Sequence, residues 1–392
     1  MFLNRWDMKS NYKRLGGYIR QVDVRNRDLA VNKLLGLSIS KQFIPSIANT
    51  TGTDMSTYKI VQPRQFGYVP VTSRNGDKIT IALYEEESPC IISQAYVVFE
   101  VIDEIELLPE YLMMWFRRPE FDRYARFKSH GSAREVFEWS EMCEVLLPVP
   151  PIEEQQKVVA EYQAIERRIE NNRRLIVTLE ETAQSIYRKM FADDIDTENL
   201  PEGWRMGIIG EFGAVVTGKT PSSNCPEDFG NAIDFITPSE FSGEDMFCAK
   251  AKRGLSLDGI SKLQSKLIPK YSIAVTCIGS DMGKVRICSK ECISNQQINS
   301  IIMSDKNKMP FLFFTLRNMK DYFQRIALGS STMPMLSKSE FEKINVLVPD
   351  EESVVSFGEQ ALPIIKYIFG FETEIQILRQ IQSHLLLQIS RI

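Results

Sequence analysis

The feature that most constrains this chain is an apolar repeat between residues 150 and 191. Alternating steps of four and three residues connect side chains that are apolar or amphipathic, with Asn172 as the one polar exception. These residues are Val158, Tyr162, Ile165, Ile169, Asn172, Ile176, Leu179, Ala183, Ile186 and Met190. Such a seam is typical of a coiled-coil helix. At ~1.5 Å per residue the helix would be roughly 60 Å long, and alone it would leave its whole apolar stripe in water. The pattern therefore predicts a partner helix.

A second segment with the same stepping follows Val354. Its seam again contains one polar residue, Gln382. The seam consists of Phe357, Ala361, Ile364, Ile368, Phe371, Ile375, Leu378, Gln382, Leu385, Ile389 and Ile392. Two matched seams in one chain predict an intramolecular helix pair. Asn172 and Gln382 are natural register-setting residues, unless each lies where the seam frays. Pro363 and Gly370 weaken the second helix, but the seam stays in phase across Pro363, so we expect a bend there and not a break.

The rest of the sequence repeats one plan with a period of about 198 residues. Gly131-Ser132 recurs as Gly329-Ser330, and Pro151 with its following acidic residues recurs at Pro349. Each unit is a β-rich head with packed helices, followed by a long helix. We therefore predict an α+β fold with a pseudo-two-fold internal repeat. Such symmetry makes the long helices antiparallel and places the two heads at opposite ends of the pair.

These patterns divide the chain into five segments. We predict a first head over 1–150, a first long spacer helix over 151–192, an acidic linker over 193–203, a second head over 204–349 and a second long spacer helix over 350–392. Within the heads, helical spacing occurs over 109–127 and 310–326. Strand-like runs occupy 34–39, 78–84, 90–102, 145–149, 233–237, 272–278 and 285–288.

Composition excludes several classes of protein. The formal net charge of -4 excludes a globally basic nucleic-acid binder, although it permits local basic patches. No apolar run approaches the ~20 residues of a membrane span, and residues 1–10 lack a signal-peptide core, so we expect a cytoplasmic protein. The seven cysteines, without a CxxC pair, fit that reducing compartment. Because His130 and His384 are the only histidines, we predict no metal site and no catalytic residues.

A helix pair that separates two similar but non-identical heads is suited to binding two separated targets, and DNA is the natural long ligand. In the first head, basic and aromatic residues alternate before a Gly-Ser loop, and the second head has a similar arrangement. The candidate DNA contacts are Arg117, Arg123, Arg126, Lys128, Ser132, Arg134, Lys219, Thr220, Lys284, Arg286, Ser330, Ser331 and Thr332. The alternative is that these charges form the solvated face of amphipathic helices.

One motif favours a different function. Residues 213–220 match the phosphate-loop pattern G-x-x-x-x-G-K-S/T. That pattern binds phosphate only where it connects a strand to a helix, and the turn-like residues 221–226 follow here. We therefore interpret Lys219 and Thr220 as loop contacts to DNA. A phosphate-loop nucleotide-binding enzyme stays as one alternative, and a coiled-coil protein scaffold without DNA binding as another.

Taken together, these features resemble the specificity (S) subunit of type I restriction-modification systems. The resemblance rests on short stretches across nearly the whole chain: LPEYLMMWFRRPEFD at 108–122, Gly131-Ser132, LPVPPIEEQQ at 147–156, NNRRL at 171–175, LPEGW at 200–204 and Gly329-Ser330.

The resemblance implies a non-catalytic subunit. Each head would be a target recognition domain for one half of a bipartite, asymmetric DNA sequence. The helices would set the unread spacer and dock two methyltransferase (M) subunits, and motor/nuclease (R) subunits would join this core. The chain itself would bind no cofactor. S-adenosylmethionine, ATP and Mg²⁺ are expected on the partner subunits, which methylate adenine after flipping it out of the duplex.

Overall fold

The computed structural model describes residues 12–47, 52–73, 76–130, 134–196, 198–328 and 334–390. The chain divides into two units, Met1–Ile169 with Ile377–Ile392, and Glu170–Gln376. Both boundaries lie inside long helices, so each unit contains one head and a segment of each helix. Within the described ranges, no helix has the length and apolar character needed to cross a membrane.

The first head is built from short strands around an antiparallel sheet. Its strands are β1 (Tyr12–Arg14), β2 (Ile19–Val22), β3 (Leu35–Leu37), β4 (Phe43–Pro45), β5 (Lys59–Val61), β6 (Phe66–Tyr68), β7 (Ile81–Leu83), β8 (Cys90–Ile92), β9 (Val97–Val101) and β10 (Leu146–Pro148). The central sheet has the order β2-β9-β6-β7. The rings of Phe66 and Phe99 stack within it, with centroids 4.7 Å apart. β1 pairs with β10, the strand that precedes the first long helix.

The helices of this head are α1 (Pro109–Phe116), α2 (Pro119–Lys128) and α3 (Trp139–Cys143), and α4 (Ile152–Phe191) follows β10. The single helical run over 109–127 was therefore a wrong prediction. Pro119 lacks an N–H and disfavours a helical conformation at the preceding residue. Arg118 is accordingly extended, with ψ 137°, and α2 begins anew at Pro119.

The second unit contains the other head. Its elements before the last long helix are β11 (Arg205–Ile208), β12 (Gly213–Thr217), β13 (Phe229–Gly230), β14 (Ile233–Ile236), β15 (Gly254–Leu255), α5 (Leu257–Lys262), β16 (Ile273–Thr276), β17 (Val285–Ile287), β18 (Cys292–Ser294), β19 (Ile298–Met303), α6 (Met309–Asn318), α7 (Lys320–Leu328), α8 (Lys338–Glu342) and β20 (Asn345–Val348). The run predicted over 310–326 is again two helices, which meet at Met319.

The two heads share one topology. The sheet β12-β19-β16-β17 repeats the order β2-β9-β6-β7, and β11 pairs with β20 as β1 pairs with β10. The helices α6, α7 and α8 follow the central sheet as α1, α2 and α3 do. The heads differ beside this sheet, because β14 and β18 are parallel whereas β5 and β8 are antiparallel. The internal repeat predicted from short sequence echoes is confirmed.

The last element is α9 (Glu351–Gln388), which pairs with α4 in an antiparallel sense within each unit. In the first unit, Tyr162 near the start of α4 shares an apolar core with Ile389, just past the end of α9. In the second unit, the rings of Tyr187 and Phe191 near the end of α4 lie 5.8 and 5.6 Å from Phe357 near the start of α9. The predicted antiparallel direction is confirmed.

The seam positions of both helices are turned inward. Each of the following residues is buried or half-buried: Ile165, Ile169, Asn172, Ile176, Leu179, Ile368, Phe371, Ile375, Leu378 and Gln382. Asn172 is completely buried, and its Nδ2 donates a hydrogen bond to Oε2 of Glu374 over 2.9 Å. The helix α9 continues without a break through Pro363. A polar seam residue with a partner on the facing helix favours one register over its neighbours.

Candidate nucleic-acid interface

Arg117, at the end of α1, lies inside the first unit. Its Nη1 is 2.7 Å from Oε1 of Glu166 on α4, and its guanidinium is 5.4 Å from the centre of the Tyr162 ring. The side chain is 21% exposed. Its charge is thus already paired within the protein, and Arg117 joins the head to the long helix. This internal pairing argues against the predicted role of Arg117 as a DNA contact.

Three predicted contacts lie on α2, of which Arg123 and Arg126 are exposed and Lys128 is half-buried. Arg123 is 68% exposed and pairs with Glu120 at 3.1 Å. Arg126 pairs with Glu135, and Lys128 lies 3.1 Å from Glu141. The hydrogen bond with Glu141 raises the pKa of Lys128, so this ammonium keeps its charge. Exposed pairs of this kind contribute little stability, and a phosphate can replace the carboxylate at small cost.

The loop that follows α2 has well-defined ends. His130 and Val136 exchange both backbone hydrogen bonds, at 3.1 and 2.9 Å, and the Thr72 N–H donates to the Glu135 carbonyl over 2.9 Å. The chain that follows the loop, at Glu135, is thereby held against the connection between β6 and β7. Arg134 is exposed at the end of the loop, whereas Ser132 lies outside the described residues.

The second head repeats this arrangement. The Gly279 N–H donates to the Pro334 carbonyl and the Leu336 N–H to the Cys277 carbonyl, both over 2.9 Å, so the chain after α7 is held against the connection between β16 and β17. Lys284 lies in that connection, 2.6 Å from Asp281. The predicted contacts Ser330, Ser331 and Thr332 lie outside the described residues.

Arg286 has an internal role. It is only 3% exposed, and its Nη2 donates to the carbonyls of Gly243 over 2.6 Å and Phe241 over 3.4 Å. Burial lowers the pKa of this guanidinium. Because β17 turns the side chain into the head, the structure also argues against the predicted role of Arg286 as a DNA contact.

The phosphate-loop pattern has a structural explanation. A Cβ on Gly213 would lie 2.1 Å from the Ile302 carbonyl oxygen, and one on Gly218 would lie 2.1 Å from that of Ser294, so close strand packing requires both glycines. The chain after Thr220 continues as a loop to a short 3₁₀ turn at Pro226–Asp228. The strand-to-helix geometry of a phosphate-binding loop is therefore missing from this fully described stretch.

Lys219 and Thr220 nonetheless lie at an exposed edge. The backbone N–H of Lys219 donates to the Ser294 carbonyl over 2.9 Å, which leaves its side chain in solvent. The Thr220 hydroxyl donates to Oε1 of Gln296 over 2.7 Å. A loop anchored by its backbone with its cation exposed is compatible with a phosphate contact.

Sequence reasoning missed a second internal ion pair. Arg317 on α6 forms a two-pronged interaction with Glu180 on α4, with N–O distances of 3.3 and 3.2 Å. Arg317 and Arg117 therefore both connect a head helix to α4 inside their own unit. A clue in the sequence was that each arginine closely follows a run of large apolar side chains, and so lies near a buried helix face.

Comparison with known proteins connects this architecture to a family. Residues 201–385 match the family model described as "Type I restriction modification DNA specificity domain". The specificity subunit of the type I restriction enzyme HindI from Haemophilus influenzae is 23% identical over 97% of this chain and 96% of its own length. The MjaIX specificity subunit from Methanocaldococcus jannaschii is 26% identical over 41% of this chain and 37% of its own length.

A solved structure has the same fold. The S subunit of a type I restriction-modification system from M. genitalium superposes with a TM-score of 0.63 at 13% sequence identity, over 98% of each chain. The domain match, the nearly full-length relative and the duplicated head-and-helix fold agree with one another. Residues 201–385 therefore carry a type I restriction-modification DNA specificity domain, and the chain is similar over nearly its whole length to a type I specificity subunit.

Proposed function

We propose that this chain is the non-catalytic DNA-recognition subunit of a type I restriction-modification enzyme, in which each head binds one half of a bipartite, asymmetric target. The observation that carries the proposal is the repeated arrangement in both heads. In each one, a helix with exposed cations is followed, after the loop, by a segment that backbone hydrogen bonds hold against a β-hairpin connection. Different side chains on one shared frame suit two different half-sites.

The proposed DNA contacts follow from this arrangement. In the first head they are four cations that reach the surface and one hydroxyl: Arg123, Arg126, Lys128, Arg134 and Ser132. In the second head they are Lys219, Thr220, Lys284, Ser330, Ser331 and Thr332. Arginine and lysine bind phosphates, and arginine also binds guanine edges in the major groove.

The long helices are the proposed docking surface for two methyltransferase subunits, to which motor/nuclease subunits would add. Large apolar side chains remain exposed outside the seam: Leu175 and Val177 on α4 at 44% and 54%, and Tyr367, Ile377 and Ile381 on α9 at 66%, 51% and 45%. Large apolar groups left in water on these helices support a protein-binding surface. S-adenosylmethionine, ATP and Mg²⁺ would bind to those partners.

Sequencing of methylated DNA tests the proposal. A host would express this chain with a candidate methyltransferase partner, and a control host would express that methyltransferase alone. We expect a split adenine-methylated sequence that depends on this chain. If both proteins are expressed in soluble form and the methylation pattern does not change, the scaffold without DNA binding becomes the better hypothesis.

The same assay tests whether the helix pair sets the spacer between half-sites. Removing one heptad from α4 and the facing heptad from α9 shortens the pair by about 10 Å, which corresponds to roughly three base pairs. We expect a shorter spacer and unchanged half-sites. An altered half-site sequence would contradict this role of the helices.

A further inference from the structure

Each head exposes one large apolar side chain where its basic helix enters the loop. Phe127, the penultimate residue of α2, is 80% exposed, and Leu328, the last residue of α7, is 85% exposed. The inward faces of the same helices carry Phe121 and Phe323, which are 4% and 0% exposed. Successive helical residues are about 100° apart, so Phe127 and Leu328 point well away from those inward faces. Core packing therefore does not account for them.

We propose that Phe127 and Leu328 are wedges that insert against the DNA bases of their respective half-sites. The inference rests on the proposed function and adds two specificity-determining residues to it. Phenylalanine and leucine are among the side chains that proteins insert between base steps to unstack and bend a duplex. An unstacked duplex also lowers the cost of flipping a nearby adenine for methylation.

Charge identifies duplex DNA as the occupant of these positions. Phe127 lies between Arg126 and Lys128 in the chain, and the exposed Arg123 is one turn away on α2. Leu328 follows the exposed Arg325 on α7. Cations around an apolar tip match a polyanion whose bases offer apolar faces. A purely apolar protein surface would offer these cations no anionic partner beyond the carboxylates of their own head.

The duplication supports the assignment independently. The two heads differ at most positions, yet both place a large exposed apolar residue within five residues of the Gly-Ser sequence at the loop. The wedge differs in kind, since a phenyl ring stacks on bases whereas a leucine side chain only fills space. This difference fits two heads that bind different half-sites.

The experiment compares Phe127→Ala with wild type, each assembled as the full chain with its methyltransferase subunits. The probe is a DNA duplex that contains the target sequence identified by methylation sequencing. In a series of such duplexes, 2-aminopurine replaces the base at successive steps of each half-site. We expect wild type to raise the 2-aminopurine fluorescence at one base step in each half-site. Phe127→Ala should abolish the rise in the first half-site and leave the rise in the second unchanged. Affinity for the target should fall about tenfold or more, while Phe127→Leu should keep part of both signals.

Ile105→Ala is the matched control. Ile105 is 77% exposed but lies before α1 beside acidic residues, so its removal should change neither fluorescence nor affinity. Leu328→Ala should affect only the second half-site, with Leu257→Ala, at a position 76% exposed, as its control.

The possible outcomes separate the wedge from the proposed function. Wild-type fluorescence and affinity in Phe127→Ala would overturn the wedge alone. Loss of the methyltransferase from the Phe127→Ala complex would also overturn it, because Phe127 would then be a protein-docking residue. A wild-type complex with no preference for the target duplex would overturn the proposed function as well.

Discussion

Two glycines in α9 provide a direct test of how this helix packs against the second head. A Cβ on Gly358 would lie 2.1 Å from the carbonyl oxygen of Asn307 and 3.0 Å from its carbonyl carbon, whereas a Cβ on Gly370 would meet nothing within 4 Å. Replacing either glycine with alanine gains roughly 0.5 to 1 kcal/mol of helix propensity. The same substitution in one helix should therefore have opposite effects at the two positions.

The magnitudes follow from these contacts. At Gly370 the propensity gain is unopposed, so Gly370→Ala should stabilise the second unit by about 0.5 to 1 kcal/mol. At Gly358 the neighbour is backbone that cannot rotate away, and Asn307 is held by a 2.8 Å hydrogen bond from its N–H to Oδ1 of Asp305. Overpacking typically costs about 1 to 3 kcal/mol, and the gain in helix propensity offsets part of this cost. Gly358→Ala should therefore destabilise the second unit by up to about 2 kcal/mol.

The assay is thermal unfolding of the full chain followed by helical circular dichroism. A change of 1 kcal/mol shifts the Tm of a unit of about 200 residues by roughly 2 to 4 °C. Gly370→Ala should therefore raise the Tm by a few degrees at most, and Gly358→Ala should lower it. If Gly358→Ala proves as stable as Gly370→Ala, the close approach of α9 to Asn307 is wrong, and with it the seating of α9 on the second head.

Two further predictions concern charged groups of the second unit. Arg317→Ala should lower the free energy of urea unfolding by about 1 to 3 kcal/mol, because it leaves the partly buried Glu180 without its two-pronged partner. Arg123→Ala in the first unit is the control and should cost less than about 0.5 kcal/mol; equal costs would refute the distinction. Burial raises the pKa of Glu372 to about 8. The stabilisation from its protonated form is then complete below about pH 4.5 and lost as the pH rises through about 8. Glu372→Gln still accepts the Met246 N–H, so its Tm should decline less between pH 5 and 8 than that of wild type, and parallel declines would contradict the pKa shift.

The long helices and the repeat were predictable because their signals are local or periodic. A residue every three or four positions defines a helix face without any knowledge of the partner, and the seam from Ile165 to Leu179 is indeed turned inward. Two copies of one seam then required pairing. Even the division of the helical run over 109–127 was predictable from the sequence, because a proline such as Pro119 interrupts a helix and favours the start of a new one.

The fate of individual charges was decided by the tertiary structure alone. Arg117 and Arg126 are similar in the sequence, yet Arg117 meets Glu166, 49 residues away, whereas Arg126 stays at the surface. Arg286 bonds to a carbonyl 43 residues away. Whether a cation is buried and paired depends on which distant groups the fold brings to it, and local composition carries no information on such long-range contacts. By itself, the sequence thus determined the helix pair, the duplicated heads and the likeness to specificity subunits, whereas only the tertiary structure decided which cations are buried and which remain at the surface.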